Sequence, residues 1–323
     1  MSAPRSILSR VEDFLRERRQ LGFELRKHDL VLKSFARHVA RRRWQGPLTV
    51  ELMADWARRD KWQRNSPATW ARRLKLLRPF ARYLQQFEPH TEVPDEEIFG
   101  PIPGRLAPHI YTPQEIVALL AAARALEPQG GLRPATYETL FGLMAASGLR
   151  VSEALQLLDS DVDLRLGLLS VRRTKFAKSR ELPLHPSTVE ALARYRDLRH
   201  RFVPATAKTP FFVSTRGSLL GKPLSQRQVH RVFEQLRRRL GWINRGAHDG
   251  PRIHDLRHSF AVHRVILWQQ QGTDIDRAML ALSTYLGHAK ISNTYWYLTG
   301  VPELMARCAT KFECYVRQEV EHA

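Results

Sequence analysis

Seven polar side chains in the second half of the sequence are of the types that attack a phosphate diester. They are Arg150 and Glu153 in Ser-Gly-Leu-Arg-Val-Ser-Glu, Lys175, His254 and Arg257 in His-Asp-Leu-Arg, His288 in Leu-Gly-His, and Tyr297. Gathered in one place, two arginines, a lysine and two histidines would surround a non-bridging phosphate oxygen with donors while a phenol attacks, which needs neither metal nor nucleotide cofactor. A phenol suits reversible attack, because the aryl phosphate it forms keeps the energy of the broken bond and can be resealed by a returning hydroxyl. No G-x-x-x-x-G-K-[ST] phosphate loop occurs in the sequence.

Each fragment alone has a plainer reading. Arg150 and Glu153, one helical turn apart, make a pair that is usually just solvated, although an arginine at a helix start gains from the positive helix end. His254 and Arg257, three apart, share one helix face and can reach one anion. His254 and His258 stand four apart with His263 beyond, as metal ligands can. The zinc-hydrolase pattern, however, puts Glu after the first His, where this chain has Asp255 and then an arginine that would repel a cation; a metal is discounted. Lys175 and Lys178 fall in one basic turn, suited to backbone contact with DNA or to protonating a leaving hydroxyl. Tyr297 shares Asn-Thr-Tyr-Trp-Tyr-Leu with Tyr295, and a tyrosine in an aromatic cluster more often belongs to a core.

The elements that must position these residues follow from periodicity. Residues 7–21, 28–44, 49–59 and 67–87 carry apolar side chains at three- and four-residue spacing and are predicted helices, the last opened by Ser66 as cap and Pro67 in the first turn. Residues 1–87 hold 21 Lys/Arg against 8 Asp/Glu, so most of the chain's net charge of +20 sits there. A cation of that size needs a polyanionic partner, nucleic acid first. The clusters Arg41-Arg42-Arg43 and Arg72-Arg73 with Lys75 are the candidate DNA contacts of this segment, and Lys178 joins them from the second. Between 88 and 111, five prolines and two glycines rule out a continuous helix and predict a linker. Thr112-Pro113-Gln114-Glu115 then restarts the chain with a capping box.

The second segment, 112–323, is predicted helical over 116–126, 137–146, from about 150, and over 187–199, 225–240, 253–270, 275–286 and 302–320, with a hairpin at 168–174 and 180–184. The fold class is therefore mainly α with a small β-sheet, in two domains. Arg and Glu interrupt every apolar stretch near the N-terminus, so neither a membrane span nor a signal segment is expected, and the chain reads as soluble and cytoplasmic. Cys308 and Cys314, the only two cysteines of 323 residues, are read as ordinary reduced thiols on a terminal helix.

Taken together, these segments resemble the tyrosine recombinase (phage integrase) family, in which Arg, Lys, His-x-x-Arg, His and Tyr occur in this order. The carriers are the Arg150 segment, His254 to Arg257, and Leu286-Gly287-His288 with Tyr297 nine residues later. The resemblance covers nearly the whole chain. It implies a basic core-binding domain (1–87), a linker and a catalytic domain closing on DNA as a C-shaped clamp. It implies that Tyr297 forms a 3′-phosphotyrosyl intermediate, and that Arg150 and Arg257 stabilise the transition state with Glu153 in support. His254 and His288 would add hydrogen bonds, and Lys175 would be the acid. It also implies strand exchange through a Holliday junction by a homo-tetramer on two specific duplex sites, with accessory or partner recombinases, nucleoid association and no cofactor. The Thr-Lys-Phe-Ala-Lys run lacks the glycines that flank the lysine in many relatives, so Lys178 is a rival to Lys175, as Tyr295 is to Tyr297. The stretch from 282 to 297 looks like a transposon-borne subgroup, and the tail 302–320 packs either on its own domain or on a neighbouring protomer. A type IB topoisomerase and a DNA-binding protein without turnover are the competing readings.

Overall fold

The computed structural model describes residues 6–59, 66–172, 179–288 and 290–296. The chain divides into two compact units, Met1–Arg105 and Leu106–Ala323. In the first, α1 (Ile7–Gln20), α2 (Arg26–Arg41), α3 (Val50–Arg58) and α4 (Pro67–Leu84) pack around Phe14, Leu32, Phe35, Trp56, Leu77 and Phe80. Ser6, Thr49 and Ser66 cap α1, α3 and α4 through their hydroxyls, which satisfies backbone donors that the first turn leaves over.

The boundary between the units falls inside the proline-rich segment read as a linker. Its first part lies on the helical unit: Glu92 N–H donates to Leu48 O (2.8 Å) and Phe99 meets Trp70 edge to face. Its last part belongs to the second unit, where His109, Ile110 and Tyr111 are buried.

That second unit contains α5 (Pro113–Arg124), α6 (Leu132–Ser147), α7 (Val151–Leu155), α8 (Pro186–His200), α9 (Gln226–Leu240), α10 (Asp255–Gln270), α11 (Ile275–Leu286) and α12 (Ser292–Tyr295). The Thr112/Glu115 capping box forms as its sequence predicts. An antiparallel sheet of order β1-β2-β3 joins β1 (Val162–Asp163), β2 (Leu168–Val171) and β3 (Arg180–Pro183), with Leu169 opposite Leu182. The short strand β1 is an addition to the predicted hairpin. Two residues are too few to leave a readable alternation. Among the described residues no helix is long and apolar enough to cross a membrane.

Candidate active site

Three chain turns converge on the site. Helix α6 ends at Gly148, whose φ of +63° is the left-handed closing conformation, and a Cβ there would stand 2.6 Å from a Phe260 ring carbon. Only glycine lets the chain turn so tightly against α10. Arg150 follows two residues on and caps α7, where the Glu153 carboxylate accepts its backbone N–H (3.0 Å) and its Nη1 (2.7 Å). The helix is only five residues long, so the expected help from a helix dipole is small, and Glu153 is what places Arg150.

Helix α10 is fixed at its start by the chain entering this unit. Tyr111 N–H donates to Ser259 Oγ (2.7 Å), Ser259 Oγ donates to Asp255 O (2.8 Å), and Tyr111 OH donates to Arg252 O (3.1 Å). Asp255 is fully buried and paired with Arg252 at 2.6 Å. His254 sits just before the helix, exposed to solvent and edge-on to His258 (ring centroids 5.0 Å apart).

Arg257, one turn on, has no exposed surface. It donates to Gly148 O (2.7 Å), to Leu286 O (2.6 Å) and to His288 Nε2 (2.9 Å), so one guanidinium ties the ends of α6 and α11 to the site. With Nε2 accepting from an arginine, the proton of a neutral His288 lies on Nδ1, which donates to Thr294 Oγ1 at 2.7 Å. The structure thus brings Arg150, Glu153, His254, Arg257 and His288 together. Lys175, Lys178, Tyr297 and the tail 302–320 lie outside the described residues.

Two contributors were missed by sequence reasoning. Thr294, fully buried, sets the His288 tautomer. Arg180 of β3 donates to both oxygens of Glu153 (2.9 and 3.3 Å) and to Tyr285 O (2.8 Å). Its signal was available: strand periodicity places Arg180 on the face of buried Leu182, and a charge on an inward strand face calls for a buried partner. Gly287 makes room for it. With φ at +67°, a Cβ at this position would lie 2.7 Å from Arg180 Nη1. Gly287→Ala is therefore expected to lower stability by about 1–2 kcal/mol from backbone conformation alone, with Arg180 displaced; unchanged denaturant unfolding would contradict that.

Electrostatics leave the imidazoles neutral. His288 is pushed down to about 3 by burial first and then by Arg257, Arg150 and Arg180. His258 falls to about 2 through burial and then His254 and Arg252, and His254 is lowered by desolvation and then by Arg257. In the unfolded chain each takes up a proton near pH 6.5. Below that pH the unfolded state binds more protons, so stability must fall with pH until the folded values are reached. His258, buried, and His288, half-buried, each contribute a slope of up to about 1.4 kcal/mol per pH unit, and the exposed His254 contributes less because solvent screens it. His258→Leu is expected to reduce the slope between pH 5.5 and 4.5 by about 1 kcal/mol per unit, read from denaturant unfolding; superimposable slopes would refute it.

Of the proposed DNA contacts, Arg41, Arg42, Arg43, Arg72 and Lys75 are exposed, with Arg42 also paired to Asp55 at 2.5 Å. Arg73 requires correction. It is buried, donates to Ala57 O (2.9 Å) and lies 4.1 Å over the Trp56 ring. Its spacing to Leu77, Phe80 and Leu84 puts it on the apolar stripe of α4, while Arg72 and Lys75 fall outside that stripe. A further basic face went unread: Arg227, His230, Arg231 and Arg239 are exposed along α9, opposite buried Val229, Phe233 and Leu236.

Comparisons with known proteins identify the family and the fold. The model of the phage integrase family matches residues 110–301. The "Putative integrase/recombinase y4rB" of Sinorhizobium fredii is 39% identical over 308 residues, covering 94% of this chain and 96% of that one. Tyrosine recombinase XerD of Caulobacter vibrioides is 34% identical over 241 residues, covering 72% and 70%. The fold is that of the Tn1549 transposon integrase solved in complex with transposon right end DNA, with a TM-score of 0.67, 16% identity and coverage of 96% and 100%. The XerH site-specific recombinase bound to palindromic difH substrate gives a TM-score of 0.63 at 19% identity, covering 94% and 84%. The matched family model and a relative 39% identical over nearly its whole length place this chain, with its clustered arginines and histidines, in the phage integrase family, the tyrosine recombinases.

Proposed function

We propose that the chain cuts and rejoins double-stranded DNA at specific sites, for integration and excision or transposition of a mobile element, through a 3′-phosphotyrosyl intermediate. The observation that supports this most is the gathering of Arg150, Arg180 and Arg257 around the Glu153 carboxylate and the neutral His288. Three guanidiniums against one carboxylate leave an excess of positive charge that a phosphate diester matches.

In this reading the Tyr297 oxygen attacks the scissile phosphorus and its proton passes to the neutral, open imidazole of His254. The bond from phosphorus to the 5′ oxygen breaks, and the departing oxygen takes a proton from Lys175 or Lys178 as general acid. The strand is left esterified to Tyr297 through its 3′ phosphate. Attack by a 5′-hydroxyl from a second duplex reverses each step and exchanges strands. Arg150, the most exposed of the three arginines at 33%, meets the phosphate directly, and the buried charge of Arg257 acts at short range behind His288. Four copies on two duplexes, with a Holliday junction between the two exchanges, complete the reaction. Arg41, Arg42, Arg43, Arg72 and Lys75 in the first unit and the basic face of α9 in the second supply backbone contacts, whose strength depends steeply on salt.

A nicked duplex that traps the cleaved state tests the proposal, with the target taken from DNA flanking the gene's own element. The expected result is a protein–DNA adduct that survives denaturation and forms equally in excess chelator without nucleotide. Retarded mobility with no adduct would replace the proposal by a DNA-binding protein without turnover. Rejoined product from a single site, with supercoils relaxed, would favour a topoisomerase.

A further inference from the structure

Glu153 has four acceptor positions on its two oxygens, and all four are taken. Oε1 accepts from Arg150 Nη1 (2.7 Å) and Arg180 Nη1 (3.3 Å), and Oε2 accepts from Arg150 N (3.0 Å) and Arg180 Nη2 (2.9 Å). Both ends of this arrangement are enclosed, with Glu153 at 7% and Arg180 at 11% side-chain exposure, whereas Arg150 keeps 33%. Arg180 is itself anchored elsewhere, through Nε to Tyr285 O and by the close approach that Gly287 permits. It therefore reaches Glu153 from a separate element, β3, and occupies half of its acceptors.

We propose that Arg180 is a positioning residue of the cleavage site: by sharing the Glu153 carboxylate it prevents Arg150 from closing a two-pronged ion pair with that carboxylate and leaves the Arg150 guanidinium for the phosphate. A lone buried carboxylate beside an arginine forms a fork-to-fork pair that competes with any incoming anion. With Arg180 in place, Glu153 accepts one side-chain bond and the backbone N–H from Arg150. The Arg150 side chain keeps its 33% exposure, and the group of three carries a net positive charge. Burial pushes the Glu153 carboxyl up, while Arg180 first and then Arg150 bring it below the ordinary range, so the carboxylate is ionised and the competition is real.

This inference rests on the cleavage reaction proposed above, and its test is read with that reaction's own trapping duplex. Arg180→Met keeps the length of the stem and removes the charge. Single-turnover cleavage is expected to fall about 10- to 100-fold, the cost of misplacing a transition-state group by about an ångström. Affinity for the duplex, measured by mobility shift, should change less than about threefold, because the many backbone contacts are untouched. The diagnostic step is Glu153→Gln on top of R180M. An amide has no net charge with which to capture Arg150, so cleavage should recover at least about fivefold over R180M, whereas loss of a merely structural arginine would make the two changes add. Where R180M shows no cooperative unfolding, Arg180→Lys carries the same comparison with Glu153→Gln. Cleavage by R180M at the wild-type rate, or a double variant no faster than R180M, overturns the proposal.

A wild-type chain that forms no adduct sinks the reaction itself. The carboxyl resonance of Glu153, followed by NMR against pH, then still decides whether Arg180 governs this group. The titratable and charged groups facing Glu153 are Arg150 from its own turn, Arg180 from β3 and the neutral His288 beyond α11. Loss of Arg180 should raise the titration midpoint, and an unmoved midpoint overturns the pairing on which the inference depends.

Discussion

A Tyr297→Phe chain is expected to bind the duplex as the wild type does and to leave no covalent adduct, a loss of cleavage of at least about 10⁴-fold, as when other covalent nucleophiles are removed. Phenylalanine keeps the ring and deletes only the oxygen, so shape and DNA contacts have little reason to change. The neighbouring Tyr295 is the control. Its ring projects from α12 at 41% exposure and its hydroxyl donates to Asp276 Oδ1 on α11 at 3.3 Å. Its phenol is pushed up, by desolvation and then by Asp276, which makes it a poorer source of phenolate. Tyr295→Phe should therefore cleave as the wild type. Peptide mapping of the trapped adduct reads both variants in one experiment: label on the peptide at position 295 in the Tyr297→Phe chain would transfer the role of nucleophile.

Much of the scaffold was legible because helices announce themselves through spacing and caps. Ser66-Pro67 and Thr112-Pro113-Gln114-Glu115 start α4 and α5 where their chemistry predicts, and Gly148 and Gly287 end α6 and α11 in left-handed conformations. The linker was harder. Prolines exclude helices but do not say which unit an extended chain packs on, and here Phe99 packs half-buried against one core while Tyr111 is buried in the other. At the site, motif spacing singled out the groups proposed to touch phosphate and overlooked those that hold them. Arg180 stands 27 residues from Glu153, and Thr294, although only six from His288, meets it across the turn after α11; neither belongs to a catalytic motif, so their roles come from how the chain folds back. Arg73 shows the opposite error. Charge clustering suggested a surface contact, yet helical phase had already assigned that position to the core.

Replacement of Arg257 by Ala is expected to damage both the fold and the chemistry, and the two losses can be measured separately. Its guanidinium fills a fully buried space and donates to the carbonyls of Gly148 and Leu286 and to His288 Nε2. Those carbonyls sit at the ends of α6 and α11, where no intrahelical donor reaches them. Truncation leaves them unpaired and opens a cavity, at a cost of about 3–5 kcal/mol. His288 also loses the donor that fixes its tautomer, and the site loses its deepest positive charge, so cleavage per folded molecule should fall about 10²- to 10³-fold. Arg257→Lys separates the contributions. A lysine keeps the charge but presents one ammonium where a planar fork joined two helix ends and an imidazole. It should recover part of the cleavage and little of the stability. If denaturant unfolding of Arg257→Ala matches the wild type, the guanidinium does not hold the two helix ends. If Arg257→Lys restores stability and not cleavage, geometry at His288 outweighs charge.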